Sequence, residues 1–302
     1  MTTFKAAALQ MGPASATLDE TVGRILSLMG AAAEQGAEIA VLPELALSPY
    51  FAAKVQDISE WDDVRSVTAA MGRIGQKARE TELAIVVSHQ EPTKNGLYNS
   101  MSFIGPDGAT KGVFRKVHIP GQLDPDPEKE ITILEKRYFQ PGDLGFPAYP
   151  LELRGGARCA AGGLICYDRR FPESWRSLLL NGAELFCCSY NTPVMNGGTL
   201  EAARYASQLA ITGGAYSNAT WTIACGKAGE ENGTTFIGAS FICGPDGVIV
   251  AQAATMGDEV VLAEVDMAQQ TKIRDRWAFI ENRMPGSYRL DRVAATETRG
   301  AA

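Results

Sequence analysis

The feature of this sequence that most constrains its fold is an order of elements that occurs twice. Gly36-Ala-Glu-Ile39 leads into an apolar strand, and Gly182-Ala-Glu-Leu185 leads into another. Each strand is followed by a helical segment, a further strand and a hairpin with the turn sequence Gly-Pro-Asp-Gly, at 105–108 and at 244–247. These short sequences are common in unrelated turns, so the argument depends on the matched order of the elements. That order predicts two related halves.

Within each half, amphipathic helices alternate with strands that are apolar throughout. Capping-box spacing of Thr17 and Glu20 predicts the start of a first helix, and apolar periodicity predicts a second helix over 62–80. Residues 38–42 and 83–88 are short apolar runs, as expected of strands that are buried on both faces. This alternation indicates an α/β fold with covered sheets.

Two such halves can cover all their apolar surface in only a few ways. If each sheet has helices on one face, the two bare faces must pack together, which gives a four-layer α-β-β-α sandwich. We expect residues 1–292 to form a single domain of this kind with two pseudo-symmetric halves. The polar residues 293–302 are expected to form a flexible C-terminal tail.

Charge and hydropathy exclude two classes of partner. The net charge is −7 and no dense run of Lys and Arg occurs, so nucleic acid is not an expected partner. No stretch approaches the roughly 18 consecutive apolar residues that cross a bilayer, and the first residues lack the pattern of an export signal. We therefore expect no membrane partner and a cytoplasmic location.

The cysteines and histidines do not form a metal-ligand pattern. His89 and His118 are far apart, and no Cys-x-x-Cys pair occurs among the six cysteines. A zinc-binding module is therefore disfavoured, and we expect neither a metal nor another cofactor. Five cysteines lie in apolar runs and are interpreted as small core residues in a reducing compartment: Cys159, Cys187, Cys188, Cys225 and Cys243.

Four polar residues stand where an α/β fold places its chemistry. Sites in covered sheets form at the carboxyl ends of strands. Glu44, Lys116 and Cys166 each come directly after an apolar run, and Glu135 precedes the sequence Lys-Arg-Tyr-Phe-Gln-Pro-Gly. Taken singly, such residues are more often a helix cap, a solvated lysine and a core cysteine.

Taken together, these residues have the chemistry of a cysteine hydrolase. A thiol attacks a carbonyl only as thiolate, so Cys166 needs a base, and with histidine scarce Glu44 is the available one. Glu44 can pass the proton to the leaving nitrogen. Lys116 and the backbone N–H of Tyr167 can neutralise the oxyanion.

Three sequence blocks resemble a known family. Leu42-Pro-Glu44, Arg115-Lys-Val-His118 and Leu164-Ile-Cys-Tyr-Asp-Arg-Arg-Phe-Pro-Glu173 are similar to the Glu, Lys and Cys blocks of the nitrilase, or carbon-nitrogen hydrolase, superfamily, in the same order. The resemblance extends from about Phe4 to Leu290 and implies the same four-layer sandwich. It implies that Glu44 is the general base and Lys116 the oxyanion stabiliser. It also implies that Cys166 is the nucleophile and that Glu135 is a second carboxylate, which positions the substrate.

Other segments are most similar to the N-carbamoyl-D-amino acid hydrolase branch. They are Glu135 to Pro147, Asp168-Arg-Arg170, Tyr190-Asn-Thr-Pro193 and Gly226-Lys-Ala-Gly-Glu-Glu-Asn232. The resemblance implies that arginines after the nucleophile hold the substrate carboxylate. The expected substrate-binding residues are Tyr167, Arg169, Arg170, Asn191 and Thr192.

The chain also departs from that branch. Ile133 stands where the branch has histidine, Tyr167 stands where it has asparagine, and residues 194–205 lack its histidines. We predict an N-carbamoyl amino acid amidohydrolase that releases amino acid, CO2 and ammonia through a Cys-bound intermediate. An aliphatic amidase or ureidopropionase-like hydrolase remains the alternative, and a non-catalytic binding homologue is a further one. The resemblance also implies a homodimer or homotetramer.

Overall fold

The structure is a computed structural model that describes residues 3–288 and 290. The predicted tail over 293–302 lies outside these residues. The assignment of 1–292 to a single domain stays a prediction.

The first half of the chain supplies five strands and two long helices. Its first helix begins after Thr17, whose side chain accepts the Glu20 N–H while the Glu20 carboxylate accepts the Thr17 N–H, so the predicted capping box is present. The elements are β1 (Thr3–Gln10), α1 (Leu18–Glu34), β2 (Ile39–Val41), α2 (Val64–Thr81), β3 (Ala84–Thr93), β4 (Gly96–Ile104) and β5 (Thr110–Arg115).

The second half repeats this order and adds a ribbon and a final strand and helix. Its elements are α3 (Glu135–Tyr138), β6 (Ala148–Glu152), β7 (Arg158–Ile165), α4 (Pro172–Leu180), β8 (Leu185–Tyr190), α5 (Leu200–Asn218), β9 (Trp221–Gly226), β10 (Ala228–Glu231), β11 (Thr234–Ile237), β12 (Phe241–Cys243), β13 (Ile249–Gln252), β14 (Glu259–Asp266) and α6 (Met267–Trp277).

The strands form two six-stranded sheets with matching topology. The orders are β14-β1-β2-β3-β4-β5 and β6-β7-β8-β9-β12-β13, and β10 pairs with β11 in a separate ribbon. In both sheets the three central strands are parallel, the first strand is antiparallel to its neighbour, and the last two form the Gly-Pro-Asp-Gly hairpin. The predicted pair of related halves is therefore present.

Three apolar cores separate four layers. β1 illustrates the arrangement, because Ala6 and Ala8 point into a core between the two sheets while Ala7 and Leu9 point into a core beneath α1 and α2. A third core lies between the second sheet and helices α4 and α5. The α-β-β-α sandwich predicted from the sequence is confirmed, and it places the carboxyl ends of β2, β7 and β8 together.

The element bounds follow the sequence prediction closely for the long helices and less closely elsewhere. Helix α2 was expected over 62–80 and runs over Val64–Thr81. The strand expected over 83–88 continues to Thr93 and pairs directly with β4. Four strands, β6, β10, β11 and β14, were not anticipated.

The five cysteines interpreted as core residues are all buried and free: Cys159, Cys187, Cys188, Cys225 and Cys243. Across residues 3–288 and 290, no helix is both long enough and apolar enough to cross a membrane.

Candidate active site

The four candidate catalytic residues lie in one cluster, and three of them follow the carboxyl ends of strands. Glu44 follows β2, Lys116 follows β5, Cys166 follows β7 and Glu135 begins α3. Two of these strands belong to the first sheet and one to the second, so the cluster forms where the two halves of the chain meet.

Cys166 occupies a turn that strains its backbone. Its φ is +48°, in the left-handed region that non-glycine residues rarely adopt. The turn is held by Arg169, whose Nη1 donates to the Cys166 carbonyl at 2.5 Å, and by Asp168, whose carboxylate accepts the Ile165 N–H at 3.3 Å. The result is a thiol that projects from the strand end into the cluster, with Sγ 3.9 Å from the carbonyl oxygen of Asn191.

Lys116 is bound between two carboxylates. Its Nζ donates to Glu44 Oε1 at 2.7 Å and to Glu135 Oε2 at 2.6 Å, and all three side chains are buried. An ammonium has three N–H donors, so one remains for a further acceptor. A bound carbonyl oxygen that gains negative charge is a suitable acceptor.

Glu44 is fixed by two further donors. Asn99 Nδ2 donates to Glu44 Oε1 at 2.8 Å, and the Asn191 N–H donates to Glu44 Oε2 at 2.9 Å. The Asn191 side chain also donates to the Glu44 carbonyl at 2.8 Å. Glu44 and Asn191 stand at equivalent places in the two halves, after β2 and after β8, and they meet across the sheet interface.

Tyr50 was not anticipated from the sequence and orients Glu135. Its hydroxyl donates to Glu135 Oε1 at 2.8 Å, and its own N–H donates to Glu231 Oε1 at 2.6 Å. Glu231 is buried against Lys227. No residue pattern around Tyr50 distinguishes it from an ordinary loop tyrosine. Asn99 was not predicted either, but a polar residue within a buried strand is a recognisable sign of a functional position.

The electrostatics of the cluster favour a charged lysine and a protonated thiol. Burial alone lowers the pKa of Lys116, but the carboxylates of Glu135 and Glu44 outweigh it and raise that pKa. Burial raises the pKa of Glu135 to about 7, against the lowering effect of Lys116. Burial and Glu44 raise the pKa of Cys166 to about 11, although Lys116 and Arg169 lower it.

The two arginines after the nucleophile have different surroundings. Arg169 is buried, and its guanidinium donates to Thr192 Oγ1 at 2.7 Å and Ser207 Oγ at 3.2 Å as well as to the Cys166 carbonyl. Arg170 is exposed and has no ion pair among the described residues. All three acceptors of Arg169 are uncharged, so its role is to hold the local structure, and the Thr192 hydroxyl accepts one of its hydrogen bonds.

Asp168 pairs with His118, whose role was not predicted from the sequence. Its Oδ1 accepts the His118 N–H at 2.9 Å and lies 2.7 Å from His118 Nδ1. The His118 ring stacks on Phe171 with centroids 3.8 Å apart. This contact joins the segment after Lys116 to the turn of Cys166, so two of the sequence blocks are linked directly.

A cavity of about 410 Å³ opens onto Cys166. The expected substrate-binding residues all contribute to its wall, together with Tyr50 and Glu135: Tyr167, Arg169, Arg170, Asn191 and Thr192. Its volume is in the range of small-ligand pockets, about 300–1,000 Å³. Among the described residues, no group of three or more His, Cys, Asp or Glu side chains is arranged to hold a metal ion. A thiol, a carboxylate and an ammonium beside a cavity can attack and protonate a bound amide.

Comparison with known proteins agrees with this chemistry. The family model described as carbon-nitrogen hydrolase matches residues 5–275. The chain is 31% identical over 283 residues to N-carbamoylputrescine amidase of Oryza sativa subsp. japonica, which covers 90% of this chain and 89% of that protein. It is 30% identical over 279 residues to citrullinase of Francisella tularensis subsp. tularensis, covering 89% and 91%.

Among solved structures, the carbon-nitrogen hydrolase from Helicobacter pylori G27 superposes with a TM-score of 0.84 at 26% identity, covering 95% of this chain and 97% of that one. The family match extends over most of the chain and includes the segments that carry Glu44, Lys116 and Cys166. This protein therefore belongs to the carbon-nitrogen hydrolase family and is a cysteine-dependent enzyme that hydrolyses amide or carbamoyl C–N bonds.

Proposed function

We propose that the enzyme hydrolyses N-carbamoyl amino acids, with Cys166 as nucleophile and Arg170 as the partner of the substrate carboxylate. The observation that carries the proposal is the state of Arg170. It lines the cavity, it has no ion pair among the described residues, and its partial burial together with Arg169 lowers its pKa. A guanidinium in that situation gains two parallel hydrogen bonds when a carboxylate binds.

In the proposed reaction, Glu44 accepts a proton from Cys166 during attack and returns a proton to the sulfur when the product leaves. Glu44 takes the proton of Cys166 while Sγ bonds to the carbamoyl carbon, and Lys116 and the Tyr167 N–H neutralise the oxyanion. The C–N bond then breaks as Glu44 protonates the leaving nitrogen. The amino acid leaves in this step, and the enzyme retains an S-carbamoyl cysteine. Water next adds to the carbamoyl carbon and gives its proton through Glu44 to the departing sulfur, which releases carbamic acid, and carbamic acid decomposes to CO2 and ammonia. Glu135 positions Lys116 and the substrate.

The nucleophile is tested by covalent trapping. Cys166→Ala removes one sulfur atom at the cavity wall, so we expect turnover to be lost while the free energy of unfolding changes little. Intact-protein mass spectrometry with a slow carbamoyl substrate is expected to show an adduct on wild-type Cys166. An adduct on Cys159, Cys187 or Cys188 instead would refute the assignment.

The carboxylate partner is tested by Arg170→Lys, which keeps the charge and removes the planar fork. We expect KM for an N-carbamoyl amino acid to rise about tenfold or more, while a neutral amide of similar size is hydrolysed as before. Arg73→Lys on the remote helix α2 is the matched control. Equal effects on both substrates would favour the aliphatic amidase alternative, because the recognition would not depend on a carboxylate.

We also propose that the protein assembles as a homodimer or homotetramer. The support is a group of exposed apolar side chains on α5, at the last residue of α6 and after it: Tyr205, Leu209, Tyr216, Trp277 and Ile280.

A further inference from the structure

The wall of the cavity includes three alanines of α5. Ala206 lies three positions after Ala203 and four after Ala202, so it is a neighbour of both on the helix surface, and all three line the cavity. Ala202 and Ala206 are exposed, so neighbouring side chains in the fold do not require them to be small. The small side chains of the three alanines leave free space within the cavity.

Two larger apolar side chains complete this region. Met195 and Ile133 line the same cavity, and Asn196 joins their loops. The Asn196 side-chain oxygen accepts the Ile131 N–H at 2.8 Å, and its Nδ2 donates to the Ile131 carbonyl at 2.9 Å. The loop of Met195 is also anchored by a hydrogen bond from the Val194 N–H to Thr235 at 2.8 Å. An unbranched methionine adapts to apolar groups of different shape.

A polar acceptor marks the other part of the cavity. Asn191 is 1% exposed, and its Oδ1 has no hydrogen-bond partner among the residues that the structure describes, although the residue lines the cavity. A buried acceptor without a partner is costly, so a bound N–H group is expected to satisfy it. Because Asn191 contacts Glu44 and Cys166, this is where the carbamoyl group belongs.

The charged residues of the wall exclude one kind of substrate. They are Glu135, Arg169 and Arg170, and Glu135 is already bonded to Lys116 and Tyr50. Within the described part of the chain, no other carboxylate of the wall is left to pair with a substrate ammonium, whereas Arg170 is open to an anion. An N-carbamoyl amino acid has an anion and, because its amino group is acylated, no ammonium.

We propose that Ala202, Ala203, Ala206, Met195 and Ile133 form a subsite for an apolar substrate side chain, so that the preferred substrates are N-carbamoyl amino acids with large apolar side chains and without an ammonium group. This inference rests on the proposed function. It names the substrate class that the same cavity accepts.

The test compares racemic N-carbamoylphenylalanine with N-carbamoylglycine. Burial of the extra side chain is expected to raise kcat/KM about 10- to 100-fold for wild-type enzyme. Ala206→Leu fills the subsite, and Met195→Ala removes part of its wall, so each is expected to reduce this ratio at least fivefold. Ala210→Leu, on the same helix but outside the cavity wall, is the matched control and should leave the ratio unchanged. N-carbamoylputrescine and citrulline, which carry an ammonium, are expected to be poor substrates.

The outcomes separate the two proposals. Equal kcat/KM for the phenylalanine and glycine compounds would overturn the apolar subsite and leave the N-carbamoyl amino acid function standing. Hydrolysis of neither compound, with turnover of simple amides, would overturn the proposed function itself. Faster hydrolysis of N-carbamoylputrescine or citrulline would overturn the exclusion of ammonium substrates.

Discussion

Cys166 is surrounded by groups with opposing effects on its thiol. Burial has the largest effect and raises the pKa, Glu44 raises it further, and Lys116 and Arg169 lower it by less, which leaves a value of about 11. The resting thiol is therefore protonated at neutral pH. A nucleophile in this state must lose its proton during attack, which explains why a carboxylate held by three hydrogen bonds stands beside it.

We predict that alkylation of Cys166 by iodoacetamide becomes about tenfold faster with each pH unit from 7 to 10, because only the thiolate reacts and its fraction rises until the pH reaches the pKa. Mass spectrometry of the labelled peptide measures this rate. Glu44→Gln removes a charge that raises the pKa of Cys166, so labelling at pH 8 should become faster while turnover is lost. Unfolding would also expose the thiol and abolish turnover, so the variant must be shown to be folded by the absence of label on the buried Cys188.

The controls lie within the same protein. Burial raises the pKa of Cys188 to about 12, and this cysteine is fully buried, so its peptide should remain unlabelled in the folded enzyme. A labelling rate for Cys166 that is constant between pH 6 and 9 would contradict the prediction and indicate a resting thiolate paired with Lys116.

At the level of elements, the two halves repeat details of the backbone. In both hairpins the N–H of the first glycine donates to the carbonyl of the residue after the turn, which is Ala109 in one and Val248 in the other, each at 2.9 Å. The last glycine has a left-handed φ, +76° in the first hairpin and +78° in the second. The aspartates Asp107 and Asp246 each accept the N–H two residues later. Each turn also joins the last two strands of its sheet, and this equivalent position supports the interpretation of Gly-Pro-Asp-Gly as a repeated element.

One glycine connects an element directly to the site. Gly142 donates its N–H to the Lys116 carbonyl at 2.7 Å, and a Cβ at this position would lie 2.1 Å from the Arg115 carbonyl oxygen and 2.9 Å from that of Lys116. These atoms belong to the backbone and cannot move without moving Lys116. The close approach explains why glycine stands at the end of the sequence that follows Glu135.

We predict that Gly142→Ala lowers the free energy of unfolding by about 1–3 kcal/mol and reduces kcat, because overpacking displaces the backbone that carries Lys116. Urea unfolding and a steady-state assay measure the two effects. The matched control is Gly72→Ala in α2, where a Cβ has open space, and it should stabilise the protein by about 0.5–1 kcal/mol with unchanged kcat. Similar stability in the two variants would count against the close packing at Gly142.

For the whole molecule, the sequence predicted what depends on local pattern or on repetition. The helices, the central strands and the sandwich follow from apolar periodicity and from the duplicated order, and the strand-end positions of Glu44, Lys116 and Cys166 follow from the fold. Contacts between distant segments could not be predicted. Tyr50 reaches Glu135, and Asp168 reaches His118, through loops whose paths are set by packing of the two halves.

The missed strand β14 has the same cause. β14 joins the first sheet although it lies near the end of the chain, and its pairing with β1 is the equivalent of the β6–β7 pair. An edge strand has weak periodicity because it is only partly covered, and its partner is distant in sequence. The closing of each sheet by an antiparallel edge is thus a property of the assembled molecule and not of any segment.

The outer surface of the molecule bears on its assembly. Tyr205, Leu209 and Tyr216 are exposed and lie at helical spacing along one stripe of α5. Tyr216 packs edge-on against Phe279, with ring centroids 5.9 Å apart, and Phe279 stacks with the half-exposed Trp277. The stripe and the segment after α6 therefore form one continuous apolar surface, which favours contact with a second copy.

We predict that the wild-type enzyme is a dimer or a larger even assembly by light scattering at micromolar concentration. Adding charge to the stripe with Tyr205→Glu and Leu209→Glu places two like charges in the contact, so the double variant should dissociate to monomers while it keeps its fold by circular dichroism. Val64→Glu is the control, since Val64 is equally exposed but begins α2 in the other half, where an acidic residue suits the helix start. This control should keep the wild-type mass. A monomeric wild type, or dissociation of both variants alike, would show that the α5 stripe is not the interface.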